Sequence, residues 1–395
     1  MHAAAFAGST LCAQRSPITA AGCAARCSAQ TTRFRSRCGR RSSSSMARSD
    51  TTDGSETGVE SERQRLAADA RAMQAMQAKS IREMEAESPS AWKWAIRKEI
   101  WDHLTESKLA RNPMPVHHRI PNHAGAEAAA DRLADLPEFR SANTVKINPD
   151  SPQKRVRWHA LSQAKLLLCP QPRLRTGFFS TMHRDSIPSQ DLWRACSAAG
   201  VAEFGVPLSL DDALKRARAK SSDEPLTEAL QQSLTLDAIV VGSTAVARNG
   251  ARIGKGEGFA ELEYGILRWM GLVTERTPVI TTVHDDQILQ DERMPTERLL
   301  EHDVPVDIIV TPTQVIHTHT KVRKPSGILW HLLSPQKLQQ VRVLRELKAR
   351  IEREEQVVLP TGPDELLPPP AARNRARPQG RRDRRGSRDL RNQGI

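Results

Sequence analysis

From Ala91 to about residue 312 the apolar positions follow two periods in turn. "AWKWAIRKEIWDHL" (91–104) places Trp92, Ile96, Ile100 and Leu104 on one helical stripe at i, i+4 spacing, with "SPS" before it as a helix start. Beyond it come short, nearly continuous apolar runs: "TVKIN" (144–148), "KLLLCP" (165–170), "LDAIVVGS" (236–243), "PVITTVH" (278–284) and "VDIIVTP" (306–312). Helical stretches such as "PSQDLWRACSAAG" and "SLDDALKRARA" separate them. Continuous apolar strands interleaved with helices predict an α/β layer with a mostly parallel sheet.

One stretch breaks both periods. The run "LDAIVVGSTAV" ends in "RNGAR", where Asn249-Gly250 predicts a hairpin, and "GKGEG" (254–258) then opens into a helix with Phe259, Leu262, Ile266 and Trp269 spaced 3, 4 and 3 apart. A glycine-rich turn at a helix N-terminus offers backbone N–H groups and the positive end of a dipole, a setting suited to phosphate, and Lys255 adds a charge. Such turns also arise from close packing alone. Glu261, in the first helical turn, is equally explained by favourable interaction with the helix dipole.

Composition changes this picture at the ends. Residues 1–49 hold eight Arg and no acid, and residues 371–395 hold nine Arg against two Asp; the ends therefore exceed the whole formal charge of +13, and the stretch between is slightly acidic. The first segment, rich in Ala, Ser and Arg and without an apolar core, reads as an organellar transit peptide, plastid first and mitochondrion second. Four of the six cysteines lie in it; Cys169 and Cys196 are too few for a disulfide framework. Residues 50–88 read as an acidic helical linker, 89–335 as the α/β domain, 336–358 as a charged helix and 359–395 as a Pro/Arg-rich tail. No run of about 18 apolar residues suggests a membrane span.

Beside the apolar stripe of the first helix runs a second one, Lys93, Arg97 and Trp101. Like charges at i, i+4 repel, so this stripe is either solvated or holds an anion between its cations. Arg173 and Arg175 in "QPRLRTGFF" suit a carboxylate or phosphate, or else decorate a surface loop. His284, His317 and His319 lack the further ligands that a zinc site needs. No nucleophile motif of the Gly-x-Ser-x-Gly type appears.

Three elements in this order resemble the 5-formyltetrahydrofolate cyclo-ligase family: Lys93-Trp-Ala-Ile-Arg97, "NGARIGKGEGFAE" (249–261) and His302-Asp303-Val-Pro-Val-Asp307, with "VITTVHDDQIL" between the last two. The resemblance covers roughly 90–312 and implies the family's α/β fold, three layers with a mostly parallel sheet and helices on both faces. It implies that ATP and Mg²⁺ are used to close the formyl group of a reduced folate onto its second nitrogen. By carry-over, Lys93, Arg97 and Lys255 serve catalysis, and the nucleotide is held by Lys93, Arg97, Gly254, Lys255, Gly256, Gly258 and Phe259. Glu261 and Asp307 stand at the metal positions. Two departures bear on this. The family's Tyr-Tyr-Asp is Phe259-Ala260-Glu261 here, and Asn148 stands where the family carries a substrate-side acid, so Asn148, Arg173 and Arg175 are the substrate candidates.

The resemblance leaves another heterocycle, such as a thiamin-related compound, as an alternative substrate. A third reading takes the fold as an RNA-associated scaffold. The Arg-rich tail suits weak, salt-sensitive, non-specific RNA binding, but no aromatic residue follows Trp330, so base stacking has no platform there.

Overall fold

Eight strands form the central sheet of the computed structural model, which describes residues 55–86, 88–171, 174, 177–218 and 234–365. They are β1 (Thr144–Ile147), β2 (Leu166–Pro170), β3 (Phe179–Met182), β4 (Val206–Leu208), β5 (Ala238–Val241), β6 (Val279–Thr282), β7 (Ile308–Val310) and β8 (Val315–His317). Their order across the sheet is β8-β7-β6-β5-β1-β2-β3-β4. The five central strands, β7 to β2, are parallel, and β8 and β3 join them antiparallel. The apolar runs supplied those five; the three outer strands carry weaker apolar signals and the periodicity did not mark them.

Strand pleating sends alternate residues into two cores. Ile239 and Val241 of β5 join one cluster, while Ala238 and Val240 join the other. Helices α3 (Ala126–Ala134) and α4 (Lys154–Ser162) cover the second face through Leu133, Val156 and Leu161. The first face is covered by α5 (Leu210–Arg218), α6 (Phe259–Trp269) and α8 (Arg342–Glu354). The three-layer expectation is met: helices lie on both faces of a mostly parallel sheet.

Three short strands, Ala245–Ala247, Arg252–Ile253 and Ile288–Leu289, make a second small sheet. The Asn249-Gly250 hairpin joins the first two, with Gly250 at φ +91°, a conformation glycine adopts without steric cost. Helix α2 (Ala91–Glu106) lays Ile96, Ile100 and Leu104 on this sheet, as its apolar stripe predicted. The stripe beside it is buried too: Lys93, Trp94, Arg97 and Trp101 are all largely inaccessible, which removes the solvated-face reading of Lys93 and Arg97.

Two boundaries drawn from composition do not divide the fold. Helix α1 (Ser55–Glu85) buries Met76 against Trp94, Trp101 and Val116. The charged segment after 335 is two helices, α7 (Pro335–Gln340) and α8, and Val343, Leu344, Leu347 and Ile351 put α8 into the main core. Its charges occupy the outward stripe, which is why composition made it read as a separate element. Described residues from 57 onward fall in one compact unit. Among them no helix is long and apolar enough to cross a membrane. Residues 1–54 and 366–395, which include the expected transit peptide and the Arg-rich tail, lie outside the described residues.

Candidate active site

Chain order in the sheet reverses between β1 and β5: the chain runs outward from β1 to β2 on one side, and from β5 through β6 to β7 on the other. In parallel sheets the crevice beyond the carboxyl ends of the strands at such a point binds ligands, because the loops leave in opposite directions there. A cavity of about 630 Å³ lies at that place, lined by Asn148, Pro149 and Asp150 after β1 and by Val241 and Gly242 at the end of β5.

Its opposite wall is the glycine loop 254–258, packed against α2. Gly256 has φ +93° and a Cβ there would stand 2.3 Å from the Trp94 ring, so only glycine fits. Gly258 (φ +76°) caps α6 without a side-chain hydrogen bond. Gly256 and Gly258 line the cavity, and their backbone N–H groups donate to no acceptor among the described residues. A Cβ on Gly254 would stand 3.0 Å from the Arg252 guanidinium below the loop. Phe259 and Glu261 follow on α6 and also line the cavity.

The cations of the site are of two kinds. Lys93 pairs with Asp303, Arg252 with Glu261, and Lys255 with Glu257 at 2.9 Å. Arg97 has no carboxylate partner among the described residues. Its Nε donates to the Gly254 carbonyl at 2.7 Å and its guanidinium lies 4.2 Å from the Trp94 ring centroid. Desolvation by burial pulls Arg97 down to about 10 from its ordinary value, with Glu83, Glu261 and Asp303 acting against it. A desolvated cation facing a cavity gains when an anion enters it.

On the sheet side, Asn148 is buried and its amide is 3.3 Å from Glu263 Oε2. Lys146 Nζ lies 2.5 Å from the same oxygen and 2.7 Å from Asn148 Oδ1. Burial raises the Glu263 carboxyl, and Lys146 opposes this. The cavity thus does have a carboxylate beside Asn148, supplied by α6 rather than by the strand. The sequence reading missed Glu263, whose only signal was an acid inside the apolar run "ELEYG".

The expected metal pair is not assembled. Glu261 faces the cavity, but Asp307 precedes β7, at the opposite end of the strands, where its Oδ2 accepts from Val279 N at 2.7 Å and Lys324 Nζ at 2.8 Å. The carboxylate from that motif which reaches the cavity is Asp303, four residues earlier in the segment that leads into β7. No group of three metal-ligating side chains occurs among the described residues. Arg173 and Arg175 lie outside the described residues. Sequence reading also missed Arg252 and Lys337, which line the cavity beside the loop, Arg252 near Gly254 and Lys337 at the Glu257 carbonyl.

Comparison with known proteins adds the identity. The family model of the 5-formyltetrahydrofolate cyclo-ligase family matches residues 89–312. Proteins called methenyltetrahydrofolate synthase domain-containing are similar to this chain. The one from Bos taurus is 41% identical over 71% of this chain and 67% of its own length, and the one from Mus musculus 41% over 73% and 72%. That from Homo sapiens is 39% identical over 73% of this chain and 69% of its own. Among solved structures, the 5,10-methenyltetrahydrofolate synthetase of Aquifex aeolicus aligns at 17% identity with TM-score 0.33, covering 58% of this chain and 94% of that one. With the matched model spanning the first helix, the glycine loop and the central strands, and with these relatives in agreement, the chain belongs to the 5-formyltetrahydrofolate cyclo-ligase family.

Proposed function

We propose that this protein binds ATP at the glycine loop and converts 5-formyltetrahydrofolate to 5,10-methenyltetrahydrofolate. The observation that carries the reading is the loop itself: amide donors at Gly256 and Gly258 without an acceptor among the described residues, a helix N-terminus, and Arg97 held over Trp94 and bonded to the Gly254 carbonyl. These are the groups a polyphosphate needs, and they sit beside a polar pocket floor at Asn148 and Glu263.

In this reading the formyl oxygen attacks the γ-phosphorus of ATP and ADP departs. The folate's second nitrogen then attacks the activated formyl carbon, loses its proton, and inorganic phosphate leaves. The chain's part is to place and shield the reactants. The loop amides and Arg97 hold the phosphates, and Lys93 and Lys255 stand beside them, each held by a carboxylate. Burial among Trp94, Phe259 and Ile328 keeps water from the activated intermediate. The Glu261–Asp307 pair does not fit a metal ion, since the two carboxylates lie at opposite ends of the strands; magnesium belongs to this reading as the counterion that arrives with the nucleotide. The transit-peptide composition of 1–49 makes a plastid address part of the same proposal, tested by fusing those residues to a fluorescent protein.

The deciding experiment mixes the protein with MgATP and 5-formyltetrahydrofolate and follows methenyl absorbance and ADP release together. Stoichiometric appearance of both is expected, with loss of at least tenfold in Arg97→Met. ADP release without methenyl product, or neither, would remove the folate reaction.

A further inference from the structure

The cavity is not completed by the residues that match the family model. Beyond residue 312 the chain returns through α7, and Lys337, Leu333 and Leu329 close the side of the cavity facing the glycine loop. Lys337 Nζ donates to the Glu257 carbonyl at 3.2 Å and lies 5.0 Å from the Phe259 ring centroid. It has no carboxylate partner within ion-pair distance among the described residues, a condition it shares at this cavity with Arg97. Both cations hold carbonyls of the same loop, Arg97 that of Gly254 and Lys337 that of Glu257. Other lining cations have carboxylates: Lys93, Arg252 and Lys255 as above, and Lys79 of α1 with Glu83 and Glu365.

A lysine packed on an aromatic face and bonded only to a carbonyl retains two N–H donors and its full charge for a further acceptor. Desolvation lowers its proton affinity and nearby Lys79 lowers it further, against Glu365, Glu257 and Glu261, so an anion at this point favours the charged form. Resting on the nucleotide reading above, we propose that Lys337 is a phosphate-binding residue of this site, contributed by a segment outside the matched family region, and that it clamps the polyphosphate against the glycine loop opposite Arg97. The glutamate tail of a folate also carries anions. The phosphate source is favoured because Lys337 shares its loop with Arg97 and the unpaired amides of Gly256 and Gly258, whereas Asn148 and Glu263 lie on the sheet side.

The test titrates the full chain by calorimetry with MgATP, inorganic tripolyphosphate and 5-formyltetrahydrofolate in separate arms. Lys337→Met and Lys337→Gln should each weaken MgATP and tripolyphosphate roughly ten- to hundredfold, the loss of one charge-assisted contact. Lys337→Arg should recover most of the affinity, which a purely structural role through the Glu257 carbonyl would not require of the glutamine variant. Folate affinity should stay within threefold. If wild type binds MgATP and both neutral variants match it, the inference fails while the nucleotide reading stands. A loss confined to the folate arm also overturns the inference, moving Lys337 to the glutamate tail. Wild type that binds neither MgATP nor tripolyphosphate overturns both.

Discussion

Gly256 and Gly258 have the same kind of backbone but different surroundings, and this allows a sharp test of the loop. Both adopt positive φ, +93° and +76°, yet a Cβ on Gly256 would stand 2.3 Å from one Trp94 ring carbon and 2.8 Å from another, whereas one on Gly258 meets nothing within 4 Å. Alanine at either position pays a left-handed backbone penalty of about 1–2 kcal/mol. At Gly256 the overlap adds about 1–3 kcal/mol, because Trp94 is buried against Met76, Trp101 and Val116 and has little room to retreat. Gly256→Ala should therefore lose about 2–5 kcal/mol of stability and Gly258→Ala about 1–2 kcal/mol. The displaced Trp94 also carries the Arg97 guanidinium, 4.2 Å from its ring centroid, so MgATP affinity should fall at least tenfold more in Gly256→Ala than in Gly258→Ala. Urea denaturation monitored by tryptophan fluorescence gives the first comparison and calorimetry the second. Equal losses in the two variants would refute the placement of Trp94 against the loop.

Asp307→Asn should cost about 1–3 kcal/mol of stability through its bonds to Val279 and Lys324, and leave MgATP affinity within twofold; a magnesium-dependent loss of binding would return Asp307 to the site. Burial lowers His123 to about 4, with Nδ1 against the Ala124 carbonyl at 2.9 Å, so the unfolded chain binds the extra proton first as pH falls. Stability carried by the neutral ring is present above about 6.5 and is lost as pH falls towards about 4; between pH 7 and 5 the loss is about 2 kcal/mol. His123→Gln should flatten that part of the pH dependence, and an unchanged slope in the variant would rule out His123 as its source. Burial raises the Cys169 thiol to about 12 and that of Cys196 to about 11, so peptide mapping after brief maleimide treatment of the native protein at pH 7 should find both unlabelled.

The sequence by itself determined the layers and the loop. Continuous apolar runs gave the five parallel strands because a strand covered on both faces has no polar alternation to show, and Asn249-Gly250 with "GKGEG" marked a hairpin and a bare helix N-terminus because only those residues reach the required backbone angles. The burial of Lys93 and Arg97 was beyond its reach: charge pattern favours solvent, and only the packing of α2 between the small sheet and α1 puts the second stripe inside. Which acids meet the cavity was likewise a tertiary matter. Asp303 and Asp307 are four residues apart and both precede β7, yet Asp303 lines the cavity while Asp307 is held at the amino end of the strands by Val279 and Lys324. Glu263 meets Asn148 and Lys337 meets Glu257 across 115 and 80 residues of chain, separations at which local periodicity carries no information.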